Sequence, residues 1–328
     1  MGSYRVLLAS VILLLAGIMP RAQMVPVTAW GQNTSGQCNV PAGLANVQAI
    51  DGGNWHSLTL KTDGTIVAWG ANGFGQGSVP AGLSGITAIA AGNWHNLALK
   101  ADGTIVAWGD NGYNQCAVPA GLSGVTAIAA GYMHSLALKA DGTVVGWGAN
   151  GAGQRTPPAG LTNVVAIAAG MNHSLALKDD GTVVAWGGNG YGQRTVPAGL
   201  TGVVAIDTAG YHNLALKDDG TVVAWGRNDS GQCNVPAGLA DVTAIAAGGS
   251  HSLALKSDGT VIAWGSNGYG QCTIPVVQGP MLVIAAGYYH NLALVSPNSA
   301  PAADAGPDQV VEATGPLTTV YLNGGRSS

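Results

Sequence analysis

A histidine returns every 39 residues along this chain, at His56, His95, His134, His173, His212, His251 and His290, and nowhere else. A Trp-Gly pair keeps the same step at Trp30, Trp69, Trp108, Trp147, Trp186, Trp225 and Trp264. So does a glutamine, at Gln37, Gln76, Gln115, Gln154, Gln193, Gln232 and Gln271. A register this strict means one small unit used seven times, each burying its apolar face against its neighbours. Residues 24–296 number 273, which is seven times 39.

The ends of the array are incomplete in complementary ways. The first Trp-Gly strand, VPVTAWG at 25–31, has no AIAAGxxHSLALK segment before it, and the last such segment, VIAAGYYHNLALV, has no Trp-Gly strand after it. An open solenoid gains nothing from this. A closed ring does, because the N-terminal strand completes the last blade and leaves no unpaired edge. The predicted fold is therefore all-β: a seven-bladed β-propeller over 24–296, closed by pairing of its N- and C-terminal strands.

Each unit reads as strands by its own pattern. AIAA is small and apolar, HSLALK alternates, an Asp-Gly pair follows, and TVVAW is rich in β-branched residues. The Asp-Gly pairs, at Asp63, Asp102, Asp141, Asp180, Asp219 and Asp258, predict two-residue type I′ hairpins, with the aspartates as turn residues. The NGYGQxxVPAGL stretch then predicts an irregular return crossing, giving three or four strands per blade. With 52 glycines, 15 prolines and 9% charged residues, long helices with charged faces are not available. The repeated tryptophans are predicted to hold the blades together, since one such ring covers roughly 150–250 Å².

Flanking segments read differently. Residues 1–23 carry Arg5 and an apolar run from Val6 to Met19 broken by Pro20. That run is too short for a bilayer that needs ~20 residues, so a secretory signal peptide is predicted, with no membrane insertion after its removal. Residues 297–328 begin as a Pro/Ala-rich linker.

The AAGxxHSLALK…DGTVVAWGxNxxGQ unit resembles the regulator-of-chromosome-condensation repeat, and its short form ending in VPAGL is similar to the repeats of the secreted bacterial β-lactamase inhibitory proteins of the second type. The resemblance implies a seven-bladed, most simply monomeric propeller that serves as a protein-binding platform, secreted or at a bacterial cell surface. The nuclear members act on a small GTPase at chromatin; the export signal and acidic balance here depart from them. DAGPDQVVEATGPLTTVYLNGGRSS looks like the opening strands of a polycystic-kidney-disease-type or immunoglobulin-like domain, which implies a truncated β-sandwich segment after the linker.

What carries function must differ between blades. If AIAA runs upward, the turn before each histidine and the loop after each Trp-Gly share the top face. Aside from the repeated tryptophans, Tyr4 and Tyr321, every aromatic side chain falls in those two slots. Trp55, Trp94, Tyr132, Tyr211, Tyr288 and Tyr289 precede the histidines, with Met133 and Met171; Phe74, Tyr113, Tyr191 and Tyr269 lie in the loops. The pre-histidine rings are expected to be exposed, and the loop rings divided between exposure and packing on neighbouring blades.

Large rigid rings bury much area for little rotamer entropy, so a protein partner is expected at this face. Rings also stack on sugars, which leaves a polysaccharide-binding or polysaccharide-degrading surface protein as the alternative; a structural spacer is the third reading. The net charge of −4 argues against nucleic acid. No catalytic group, metal site or cofactor is predicted. The histidines lack accompanying carboxylates or thiols at ligand spacing and read as packed scaffold bonded to neighbouring backbone. Asp51 and Asp207 replace alanine in the AIAA strand and, with Thr208, predict a polar patch near the axis. Cys38, Cys116, Cys233 and Cys272 share one loop slot, expected to be too peripheral for pairing; ring closure would bring Cys272 nearest to Cys38 or Cys233.

Overall fold

The computed structural model describes residues 26–297. The expected signal peptide and the expected second domain lie outside the described residues, apart from Pro297 at the start of the latter. Among the described residues there is no helix, and 21 strands form seven three-stranded antiparallel sheets. The first strand, β1 (Val27–Gly31), stands apart from its sequence neighbours. Blade 1 follows as β2 (Val47–Gly52), β3 (His56–Lys61) and β4 (Ile66–Gly70). Blade 2 is β5 (Ile86–Ala91), β6 (His95–Lys100) and β7 (Ile105–Gly109), and blade 3 is β8 (Val125–Ala130), β9 (His134–Lys139) and β10 (Val144–Gly148). Blade 4 is β11 (Val164–Ala169), β12 (His173–Lys178) and β13 (Val183–Gly187); blade 5 is β14 (Val203–Thr208), β15 (His212–Lys217) and β16 (Val222–Gly226). Blade 6 is β17 (Val242–Ala247), β18 (His251–Lys256) and β19 (Val261–Gly265). Blade 7 takes β20 (Met281–Ala286) and β21 (His290–Val295) from one end of the chain and β1 from the other.

The closure repeats the register of the other blades. β1 pairs with β21 so that Gly31 faces His290 and Trp30 faces Asn291, as Gly70 faces His56 and Trp69 faces Ser57. The first strands touch in a ring, β2 next to both β5 and β20. The crossings contribute no fourth strand, so each blade has three. Each first strand carries a β-bulge against its partner, as between Val47 and Ala49, which adds local twist.

The hairpins correct one expectation. At the first, Gly64 N–H donates to Lys61 O (2.9 Å) and Lys61 N–H to Thr65 O (2.8 Å), a three-residue loop rather than a two-residue type I′ turn. Only Gly64 takes positive φ (+79°); Asp63 does not. The aspartate sits inside a type I turn, where its carboxylate accepts from the Thr65 N–H (3.0 Å) and hydroxyl (2.6 Å), and the glycine supplies the left-handed bulge.

The core is distributed rather than central. Seven apolar clusters lie between adjacent blades, each containing one repeated tryptophan. Leu58 and Leu60 of blade 1 pack on Ile86, Ile89 and Trp108 of blade 2. The closing cluster joins Trp69, Val47 and Ile50 of blade 1 to Val283, Leu292 and Leu294 of blade 7, with Val27 and Ala29 of β1 against it. All seven tryptophans are 4–8% exposed.

Candidate functional site: an aromatic face over a closed ring

A polar network fixes the loops that build the face. Each tryptophan Nε1–H donates to the backbone carbonyl of the preceding repeat's glutamine, as Trp69 to Gln37 O (2.9 Å). The residue after each histidine donates to the same carbonyl: Ser57 Oγ–H to Gln37 O (2.8 Å), Asn96 Nδ2–H to Gln76 O (2.8 Å). The glutamine side chain accepts from the backbone of the loop slot, as Gln76 Oε1 from Phe74 N–H (2.9 Å).

The histidines are fully buried and carry the network from blade to blade. Each Nε2–H donates to the Ser or Asn side chain of the next blade: His56 to Asn96 (2.7 Å), His95 to Ser135 (3.0 Å), His134 to Ser174 (2.8 Å) and His173 to Asn213 (2.6 Å). His212 reaches Ser252 (2.9 Å), His251 reaches Asn291 (2.7 Å), and His290 returns to Ser57 (2.9 Å), which closes the circle. The partner is a side chain of the adjacent blade rather than backbone, which corrects the sequence expectation. The asparagine carbonyls, and the serine hydroxyls already donating to glutamine, can only accept here, so every histidine holds its proton on Nε2. Burial holds these imidazoles neutral, pushing them down from 6.5 to about 4 at His56, His173 and His251, and to about 3 at the other four.

Above this layer, the two variable slots lie on one face. Phe74 stacks on Trp94 (centroids 4.1 Å apart), Tyr191 leans on Tyr211 (4.9 Å) and Tyr269 on Tyr289 (5.4 Å); in each pair a loop ring covers the pre-histidine ring of the next blade. Tyr289 also contacts Tyr288 (4.6 Å) and, across the closing junction, Trp55 (5.5 Å). The loop rings Phe74, Tyr113, Tyr191 and Tyr269 are 46–52% exposed. The pre-histidine residues Trp55, Trp94, Tyr132, Met133, Met171, Tyr211, Tyr288 and Tyr289 are half-buried, because the loop rings and the axis take part of their surface.

A groove of about 340 Å³ lies between Trp55 and the Phe74–Trp94 stack, and the buried Trp94 Nε1–H beside it has no partner. On blade 5, the Arg227 guanidinium sits 5.1 Å from the Tyr191 ring centroid and pairs with Asp229 (2.6 Å). Tyr132 and Tyr288 turn toward the axis and line a central cavity with Asn54, Asp51 and Asp207. Asp51, Asp207 and Thr208 thus form the polar axial lining expected of them. The axial role of Asn54 and the serine or asparagine after each histidine were not singled out from sequence. The signal was there: that second slot holds only Ser or Asn in all seven units.

The four cysteines are free and half-buried, and each thiol donates to the backbone carbonyl six residues earlier, as Cys38 Sγ to Gln32 O (3.2 Å). Burial pushes these thiols up to about 11, which keeps them protonated at neutral pH. Among the described residues no group of three His, Cys, Asp or Glu side chains is placed to hold a metal ion, and no helix is long and apolar enough to cross a membrane.

Seven three-stranded blades, closed by the pairing of the first and last strands around a repeated His/Trp/Gln lattice, define a seven-bladed β-propeller of a class that generally serves protein interaction. The family profile described as "Regulator of chromosome condensation (RCC1) repeat" matches residues 47–76, 86–115, 125–154, 164–193, 203–232 and 242–271, and the chain belongs to that family. No curated protein matches it. Among solved structures, Prp20p from Saccharomyces cerevisiae is similar at 18% identity and a TM-score of 0.71, covering 83% of this chain and 91% of that one. Human WBSCR16 is similar at 19% identity and a TM-score of 0.67 over 83% of this chain and 99% of that one. The ectodomain of the Physcomitrella patens receptor kinase CR4 matches at 25% identity and a TM-score of 0.64, over 79% and 73%.

Proposed function

We propose that this propeller is a secreted or surface-held protein-binding module whose aromatic face is the docking surface. The observation that carries the reading is the run of rings across adjoining blades, from Tyr269 through Tyr289 to Trp55 and over the groove to Phe74 and Trp94. These rings are held by the rigid Gln-loop lattice, so a partner would bury them at little entropic cost. Their unequal distribution among otherwise equal blades supports a role beyond packing. The family supports a protein partner as well: Prp20p is characterised by its binding to Gsp1p and histones. Export rests on the sequence of residues 1–23, and the short segment after Pro297 is read as the start of a further domain.

The test uses the wild type, a Trp55→Ala/Trp94→Ala/Tyr289→Ala variant, and a Lys100→Ala/Lys256→Ala control on the hairpin face, in parallel protein-capture and glycan-array measurements. Protein capture by the wild type and control, lost in the aromatic variant at an unchanged fold, supports the reading. Glycan binding with the same dependence would transfer the face to a polysaccharide ligand, and capture unaffected by the aromatic changes would overturn the assignment of the face.

A further inference from the structure

The seven first strands enclose an axial cavity of about 130 Å³, lined mostly by Ala, Gly and Ile. Two carboxylates interrupt that lining, Asp51 in blade 1 and Asp207 in blade 5. The equivalent position is Ala90, Ala129, Ala168, Ala246 and Ala285 in the other blades. Around a ring of seven, blades 1 and 5 stand three steps apart one way and four the other, so the two acids face each other across the axis. Both are fixed by backbone: Asp51 accepts from Ala91 N–H (2.8 Å) and Gly52 N–H (2.9 Å), and Asp207 accepts from Ala247 N–H (2.8 Å). Asn54, which lines the same cavity and is only 9% exposed, gives its Nδ2–H to Asn93 (2.6 Å) and keeps an Oδ1 with no partner. Tyr132 and Tyr288, from the turns of the aromatic face, form part of the same lining. The Tyr288 ring lies directly over Gly249, where any side chain would collide with it.

We propose that this cavity receives the ammonium or guanidinium end of a Lys or Arg side chain projected by the protein that docks on the aromatic face. The inference rests on the docking reading and adds to it the chemistry of the partner's central residue. A cationic N–H donor matches what the cavity offers: acceptor oxygens on opposite walls, an unsatisfied amide oxygen and two aromatic rings. A bare metal ion does not, because it needs oxygens converging at roughly 2.3–2.6 Å, and acids on opposite walls with no third ligand do not converge.

Burial raises both carboxyls, Asp51 to about 7 and Asp207 to about 6. The titratable residues lining the cavity are these two and the tyrosines Tyr132 and Tyr288; no lysine, arginine or histidine does so. A bound cation favours the ionised acids, so binding strengthens as pH rises through that window and releases protons as it forms.

The probes are N-acetyl-lysine methylamide and N-acetyl-arginine methylamide, titrated calorimetrically into the whole chain at pH 5.5 and pH 8. Binding about tenfold tighter at pH 8 than at pH 5.5, with protons released on binding at the lower pH, is expected. It should be lost in Asp51→Ala/Asp207→Ala, a variant that gives both blades the residue the other five already carry and so keeps the fold. It should persist in the Trp55→Ala/Trp94→Ala/Tyr289→Ala variant, which separates failure of this inference from failure of the docking surface. No binding at pH 8, equal binding by the double variant, or an Asp51/Asp207-dependent response to calcium in place of both probes would overturn the assignment.

Discussion

The histidine layer and the aromatic face are built from neighbouring residues, sometimes consecutive ones, yet they obey opposite rules. His56 and Trp55 differ by one position. The first belongs to a set that is the same in all seven blades, fully buried and linked hand to hand around the ring; the second belongs to a set that is Trp, Met, Asn, Tyr or Ser from blade to blade and half open to solvent. The difference teaches where the chain has freedom. Every junction makes the same bond, and its acceptor varies only between Ser and Asn. The face residues join that lattice through their backbone alone, as Phe74 N–H does with Gln76 Oε1, and their side chains are left to vary.

The largest effect that would sharpen this contrast is acid. The histidines titrate lower in the folded chain than the ordinary value of 6.5, so the unfolded chain binds more protons. Their stabilisation is fully present above about 6.5 and is lost as pH falls toward 4. Each contributes up to about 1.4 kcal/mol per pH unit below that point, and seven act together. Denaturant titrations between pH 7 and 4.5 should show stability falling with a slope of several protons. A flat profile would break the idea that these imidazoles are neutral in the fold.

Single substitutions come next. Trp147→Ala removes a ring that is 5% exposed and its bond to Gln115 O (2.8 Å), and should cost about 3–5 kcal/mol in equilibrium unfolding. Ser57→Ala leaves His290 Nε2–H without its partner at the closing junction and should cost about 1–3 kcal/mol. Against these, Tyr269→Ala on the face should change stability by about 0.5 kcal/mol or less. A loss at Tyr269 as large as that at Ser57 would erase the distinction between lattice and face.

The ring was legible in the sequence because each of its requirements recurs: the 39-residue step, the complementary ends and the apolar AIAA and HSLALK runs all point to one closed array. The hairpin geometry was misread because Asp-Gly suits two turn types, and the choice rests on whether the aspartate accepts from the threonine two residues on, which spacing does not reveal. The histidine partners were missed because the bond runs 40 residues along the chain, from one blade to the next, so no local pattern contains both ends. The exposure of the two aromatic slots depended on which ring lies over which, as Phe74 does over Trp94, and that is a property of the blade junction rather than of the unit.

The β1–β21 pairing copies the hydrogen-bond register found inside every other blade, although no Asp-Gly hairpin joins those two strands. Copying or deleting a whole 39-residue unit would therefore leave the closing register unchanged.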